Sequence, residues 1–227
     1  MGLRSSTPLK TKWKRLSLKL CLMPTIVQYI ALDSVVALNG SSWKVQCGRK
    51  DGLVSIADNS EACLPSHNLG LDDLVANFEA KGLTREQMVV LSRAHQSGVG
   101  HCPNLIRRLY TWSQENPTSD PLLAADYAAE LKASCPQFTF NESIFLRMDV
   151  ITQFFDENYY TTLKQCKGLF HSDQVLYSGQ RTRPLVEFLT ANNANFQAEF
   201  GWAMRAVGIK TEGQIRNVCS KVNEVYY

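Results

Sequence analysis

The residues of this chain that could do chemistry cluster in one stretch, Met88-Val-Val-Leu-Ser-Arg-Ala-His95-Gln-Ser-Gly-Val-Gly-His-Cys102. His95 ends an apolar run with helical character, and Gly98 and Gly100 follow it. An imidazole titrates near neutrality and binds metals through either ring nitrogen. Glycines beside it let a flat ligand or another stretch of backbone come close. The pattern alone also fits a commoner situation, a hydrogen-bonded histidine in a protein core.

Seven cysteines are the second chemical feature: Cys21, Cys47, Cys63, Cys102, Cys135, Cys166 and Cys219. No two form a CxxC pair, which argues against a structural zinc site. Widely spaced cysteines with an odd total point to disulfides plus at least one free thiol, and so to an oxidising compartment. Asn39-Gly-Ser and Asn141-Glu-Ser are glycosylation sequons compatible with a secretory route.

The elements that must position these residues read as helices. Leu71, Leu74, Val75 and Phe78 share one helical face, Asp72 and Asp73 open it, and Gly82 follows its end. Thr84 and Gln87 have capping-box spacing, so a second helix starts near Arg85 and leads into His95. Asp120-Pro121 reads as an N-cap and first helical residue, opening a helix to about Ala133. Phe155–Lys167 reads as a helix stopped by Gly168. Phe196, Phe200, Ala203, Met204 and Val207 form a stripe ended by Gly208. Ile26, Val27, Ile30 and Ala31 begin a helix that ends by Asn39-Gly40. No comparable strand-rich stretch and no internal repeat is present, so one mainly α domain is the economical reading.

Composition excludes several classes. The 227 residues are 44% hydrophobic and 20% charged with a net charge of +3, figures of an ordinary globular protein rather than a collagen or a disordered chain. No apolar run reaches the roughly 18 residues of a membrane span. Residues 1–19 carry Arg4, Lys10, Lys12, Lys14, Arg15 and Lys19 without an acid, leaving the rest of the chain net acidic. A basic patch confined to one terminus is not a nucleic-acid surface spread over a fold, and no nucleic-acid partner is expected. Lys19 and Pro24 interrupt the apolar run that follows, so it does not read as a complete secretory signal.

The His95 stretch resembles the LSGAHTIGxxHC pattern of the secretory plant haem peroxidases, class III. The resemblance continues in Trp43-Lys-Val-Gln-Cys-Gly-Arg-Lys-Asp-Gly52, similar to WxVxxGRRDG. It also continues in Asn104–Tyr110, Phe155-Asp-Glu-Asn-Tyr-Tyr160, Lys167–Gln174 and Gly213–Cys219. These motifs are co-linear and cover about Ile26 to Asn223. The resemblance implies a mainly α haem-peroxidase fold over residues 26–227, with a divergent basic segment at 1–25. It implies haem b held by His95 as axial ligand, with Asp173 fixing the imidazole; the alternative for Asp173 is a helix cap. It implies a calcium bound by Gln96, Asp149, Thr152 and Asp156, although glutamine replaces the usual threonine and the later stretch is one residue short. It implies a Cys102–Cys135 disulfide, a shifted Cys21–Cys219 pairing, and Pro65 at the haem edge where phenolic donors bind.

Activity, on the same resemblance, is hydrogen-peroxide-dependent oxidation of small phenolic donors. The protein would be a monomer secreted to the cell wall, apoplast or vacuole. The family's distal helix, with its acid–base histidine and arginine, has no counterpart in residues 1–25, and no histidine precedes His67. The expected fold is therefore N-terminally truncated and catalytically impaired. The alternative is a non-catalytic haem-binding protein, or a fragment from an incomplete gene model.

Overall fold

The computed structural model describes residues 23–58, 63–114, 118–138, 141–148, 155, 158–207, 212–218 and 220–223. Helix α1 spans Met23–Ala37. Its rotation differs from the apolar stripe read in the sequence: Thr25, Gln28 and Val35 face inward, whereas Val27 and Ile30 are more than half exposed. Its C-terminal end sets that rotation. Gly40 N donates to Val35 O at 2.8 Å and Phe155 N donates to Leu38 O at 2.8 Å, drawing Val35 onto the core.

Helix α2, Leu71–Glu79, opens with Asp72 and Asp73, where the helix dipole favours negative charge. Gly82 then turns the chain at φ +78°, a conformation that favours glycine. Helix α3, Arg85–Ser92, has both halves of the capping box. Gln87 N donates to Thr84 Oγ1 at 3.2 Å and Thr84 N donates to Gln87 Oε1 at 2.9 Å. Met88, Val89 and Val90 are buried against helix α9, Asn193–Ala206, through Phe196, Phe200 and Ala203.

After α3 the chain tightens into a 3₁₀ turn, Arg93–Ser97. A two-stranded antiparallel pair follows that the sequence did not disclose: β1, Val99–His101, against β2, Phe145–Arg147. Three-residue strands are too short to show a periodicity. Helices α4, Cys102–Tyr110, and α5, Ala125–Ser134, form the adjoining unit.

The start of α5 corrects the sequence reading, because Asp120-Pro121 does not open a helix. Asp120 Oδ1 does accept from Leu122 N at 2.9 Å, as a cap would, but Oδ2 is held by Arg108 and His171 and the chain becomes helical only at Ala125. Helix α6 is likewise shorter than expected, Asn158–Lys164, since Cys166 turns the backbone at φ +58°. Helices α7, His171–Ser178, and α8, Arg183–Ala191, pack on α6. The result among the described residues is mainly α.

Two apolar clusters hold it together. The larger joins α3, α6, α8 and α9 through residues such as Met88, Tyr160, Leu163, Val186, Leu189 and Phe196. The smaller contains Leu105, Leu109, Leu131, Leu169 and the disulfide Cys102–Cys135, whose Cα atoms are 5.5 Å apart. Cys47, Cys63 and Cys166 are free and exposed, while Cys21 and Cys219 lie outside the described residues. No helix among the described residues is long and apolar enough to cross a membrane. Replacing Cys102 and Cys135 by serine should lower stability by about 3–4 kcal/mol, the loop-closure value for their 33-residue separation, read by denaturant unfolding.

Candidate functional site

His95 sits in the 3₁₀ turn at the end of α3. The preceding Arg93 anchors that turn. Its side chain is fully buried, with the guanidinium carbon 3.5 Å from the Phe196 ring centroid and near Phe155 and Tyr160. The pattern that the His95 stretch resembles has glycine at this position.

Gly98 and Gly100 serve protein packing. A Cβ on Gly100 would meet Leu169 Cδ2 at 2.7 Å and the Phe170 ring at 3.1 Å, and one on Gly98 would meet Met148 Sδ at 3.3 Å. The bare backbone at Gly100 lets Leu169 and Phe170 close on β1, and this seats the start of α7 beside His95. The Phe170 and His95 rings meet edge-to-face, with centroids 6.1 Å apart.

Asp173 is the third residue of α7, where an anionic side chain meets the helix's free N–H groups. Its Oδ2 accepts from Phe170 N at 3.3 Å, as a capping carboxylate does. Its Oδ1 lies 2.8 Å from His95 Nδ1 and also accepts from the Tyr159 hydroxyl at 2.8 Å. Asp173 is thus both the helix anchor and the partner of His95. The Asp173 charge raises the His95 pKa above its ordinary 6.5, against the opposing effect of burial. Burial, reinforced by the same carboxylate, pushes the Tyr159 phenol well above its usual value, so Tyr159 stays protonated.

His95 and Asp173 line a cleft of about 320 Å³ with Leu74, Phe78, Leu91, Phe170 and Pro65. His67, which the sequence places only in a loop, lines the same cleft. Asn68 Nδ2 lies 2.9 Å from His67 Nε2, and burial lowers the His67 pKa. With Nδ1 engaged as donor to Asp173, a neutral His95 has its lone pair on Nε2, the nitrogen an iron atom would need. The apolar walls suit the face of a porphyrin. The residues present therefore fit a haem.

A second buried cluster fixes the α7 terminus from the other side. Arg108 Nε is 3.0 Å from Asp120 Oδ2, and His171 Nδ1 is 2.7 Å from the same oxygen. Arg108 Nη1 donates to Gly168 O at 2.8 Å. Burial works against ionisation of Asp120, but hydrogen bonds from His171 and Leu122 N and the Arg108 charge outweigh it, and its pKa is lowered. Neither this cluster nor Tyr159 stood out in the sequence as part of a site. Tyr159 lies inside the quoted FDENYY motif, and that was the available signal.

Of the residues implied for calcium, Gln96 is buried in the turn after His95, and Asp149, Thr152 and Asp156 lie outside the described residues. No group of three or more His, Cys, Asp or Glu able to hold a metal occurs among the described residues.

Two outcomes follow from the charge pairs. Asp120→Ala should cost about 3–5 kcal/mol in denaturant unfolding, because it leaves the buried Arg108 without its counter-charge. For His95 the folded pKa is the raised one. The His95–Asp173 pair therefore contributes its full stability below pH 6.5 and loses it as pH rises through the folded value. The stability gap between wild-type and Asp173→Asn chains, unfolded at several pH values without haem, should narrow as pH rises through that titration. The remainder should reflect the bonds from Tyr159 and Phe170 N that do not titrate there.

The family model described as Peroxidase matches residues 23–192. Peroxidase 56 of Arabidopsis thaliana is 36% identical over 205 residues, covering 87% of this chain and 61% of that protein. Peroxidase 2 of Oryza sativa subsp. japonica is 40% identical over 205 residues, covering 87% and 63%. Peroxidase 51 of Arabidopsis thaliana is 39% identical over 197 residues, covering 84% and 59%. The chain spans about three fifths of the length of these curated relatives. With this likeness over most of the chain and a mainly α structure that pairs His95 with Asp173, the chain belongs to the plant peroxidase family, class III.

Proposed function

We propose that this chain binds haem b in the His95 cleft, with His95 Nε2 as axial ligand and Asp173 as the carboxylate that orients the imidazole. It would form the proximal side of a hydrogen-peroxide-dependent oxidoreductase acting on small phenolic donors, with Pro65 contacting the donor. The observation that carries this reading is the 2.8 Å contact between His95 Nδ1 and Asp173 Oδ1. A carboxylate there holds the imidazole in one tautomer and makes it a more basic ligand. When bound, haem supplies the redox centre that reacts with peroxide.

The chain's own residues do the rest on this side. Asp173 retains the Nδ1 proton on His95, Phe170 packs against the ring, and Leu74, Phe78 and Leu91 exclude water from the cleft wall. The opposite face needs a histidine to move the peroxide proton and an arginine to stabilise developing charge. Of the other histidines, His171 is committed to Asp120 and the His101 ring to the Glu142 carbonyl, and His67 shares the cleft with His95. A positioned acid–base group contributes about 10²–10⁴-fold, so the chain as written is expected to turn over peroxide slowly. The second reading, a haem-binding protein without efficient turnover, is supported by the commitment of His171 and His101 to other partners.

Secretion to the cell wall, apoplast or vacuole as a monomer belongs to the proposal, supported by the Cys102–Cys135 disulfide. Calcium bound through Gln96, Asp149, Thr152 and Asp156 belongs to it as well, supported by a set made only of oxygen donors. Calcium should then raise the melting temperature and a chelator lower it.

The experiment is reconstitution of the full chain with haem. His95→Ala should abolish a specific Soret band, and Asp173→Asn should perturb the ligand field without abolishing binding. Haem uptake indifferent to His95 would overturn the haem assignment. Guaiacol oxidation by peroxide should exceed free haem only modestly, and a rate typical of intact family members would overturn the expectation of slow turnover.

A further inference from the structure

One oxygen of Asp173 does more than orient His95. Oδ1 accepts from His95 Nδ1 at 2.8 Å and from the Tyr159 hydroxyl at 2.8 Å, while Oδ2 accepts a longer bond, 3.3 Å, from Phe170 N. All three donors meet a carboxylate whose side chain is 2% exposed, and Tyr159 is 3% exposed. Little water therefore reaches this oxygen to dilute the competition. Two donors on one carboxylate oxygen each draw on the same negative charge, so a stronger bond from one weakens the other.

We propose that Tyr159 is a positioning residue which, by sharing Asp173 Oδ1, limits how much of the carboxylate's charge reaches the His95 imidazole. Tyr159 is always the donor, since burial and the neighbouring charge keep its phenol protonated. Its consequence for iron rests on His95 being the axial ligand, but the sharing itself does not. With Tyr159 in place the imidazole carries less anionic character than a simple Asp–His pair would give it. Loss of the phenol should let Oδ1 bind the His95 N–H more strongly and make Nε2 a stronger electron donor.

The adjacent Tyr160 provides the control. It is equally buried but donates to the Val89 carbonyl at 3.1 Å, away from the carboxylate. In the haem-free full chain, Tyr159→Phe should move the His95 Nδ1 proton resonance downfield, whereas Tyr160→Phe should leave it in place. Fluorotyrosine at position 159, a stronger donor of nearly the same size, should move the resonance upfield, and this arm serves if the phenylalanine variant does not fold. In the haem-loaded chain, Tyr159→Phe should raise the iron–histidine stretching frequency. It should also increase the ferric-to-ferrous ratio several-fold at a fixed poise, a more negative potential. An unmoved Nδ1 resonance in folded variants, or a potential shifted the other way, would overturn the proposal. The shift appearing without any His95-dependent Soret band would uphold the sharing and sink the haem reading. A Soret band that depends on His95, with the Nδ1 resonance unmoved, would do the reverse.

Discussion

A buried carboxylate is stable only if its charge is met by donors, and Asp173 draws its donors from three parts of the chain. His95 comes from the turn after α3, Tyr159 from α6, and Phe170 N from the approach to α7. Desolvating such a charge costs several kcal/mol when it is unpaired. The positions of these segments are therefore mutually constrained. The turn must bring Nδ1 inward, α6 must present its first tyrosine, and α7 must begin where its third residue faces both. The close packing of β1 at Gly100 against Leu169 and Phe170 makes that approach sterically possible.

The Arg108–Asp120–His171 cluster completes this clamp. His171 is the first residue of α7 and Asp173 the third, so the two carboxylates grip the same helix end through different residues. Trp112 lies against the His171 ring with centroids 4.3 Å apart, and Gln174 Oε1 accepts from Gly168 N at 3.0 Å. The terminus of α7 is thereby held by side chains from the α4–α5 unit as well as by its own capping. These contacts fix the carboxylate that faces His95 from several directions, as a ligand-orienting shell requires.

The turn carrying His95 has an unusual support. A buried guanidinium at Arg93 lies over Phe196, where dispersion and the ring quadrupole both favour it. It ties the turn to α9, the same helix that buries the apolar face of α3. The imidazole at the end of α3 and the large apolar cluster are thus mechanically continuous.

Much of this was legible in the residues. The capping box at Thr84 and Gln87 placed α3, periodic apolar positions placed α2 and α9, and the motif around His95 marked the candidate site, because local chemistry determines each of these. The Cys102–Cys135 pairing and the His95–Asp173 partnership followed from the family resemblance and not from spacing. Other features were decided by contacts distant in sequence, which no local pattern encodes. Asp120 looked like an N-cap, and its Oδ1 does accept from Leu122 N, but its Oδ2 is tied to Arg108 and His171 far along the chain, and α5 starts only at Ala125. The inward face of α1 is set by Gly40 and Phe155 at its end, and not by where its larger apolar residues fall. His67 enters the cleft, and Tyr159 reaches Asp173, only once the helices have packed. A helix is specified by neighbours a few residues away; a shared carboxylate oxygen is specified by which helices meet, and that is a property of the folded chain.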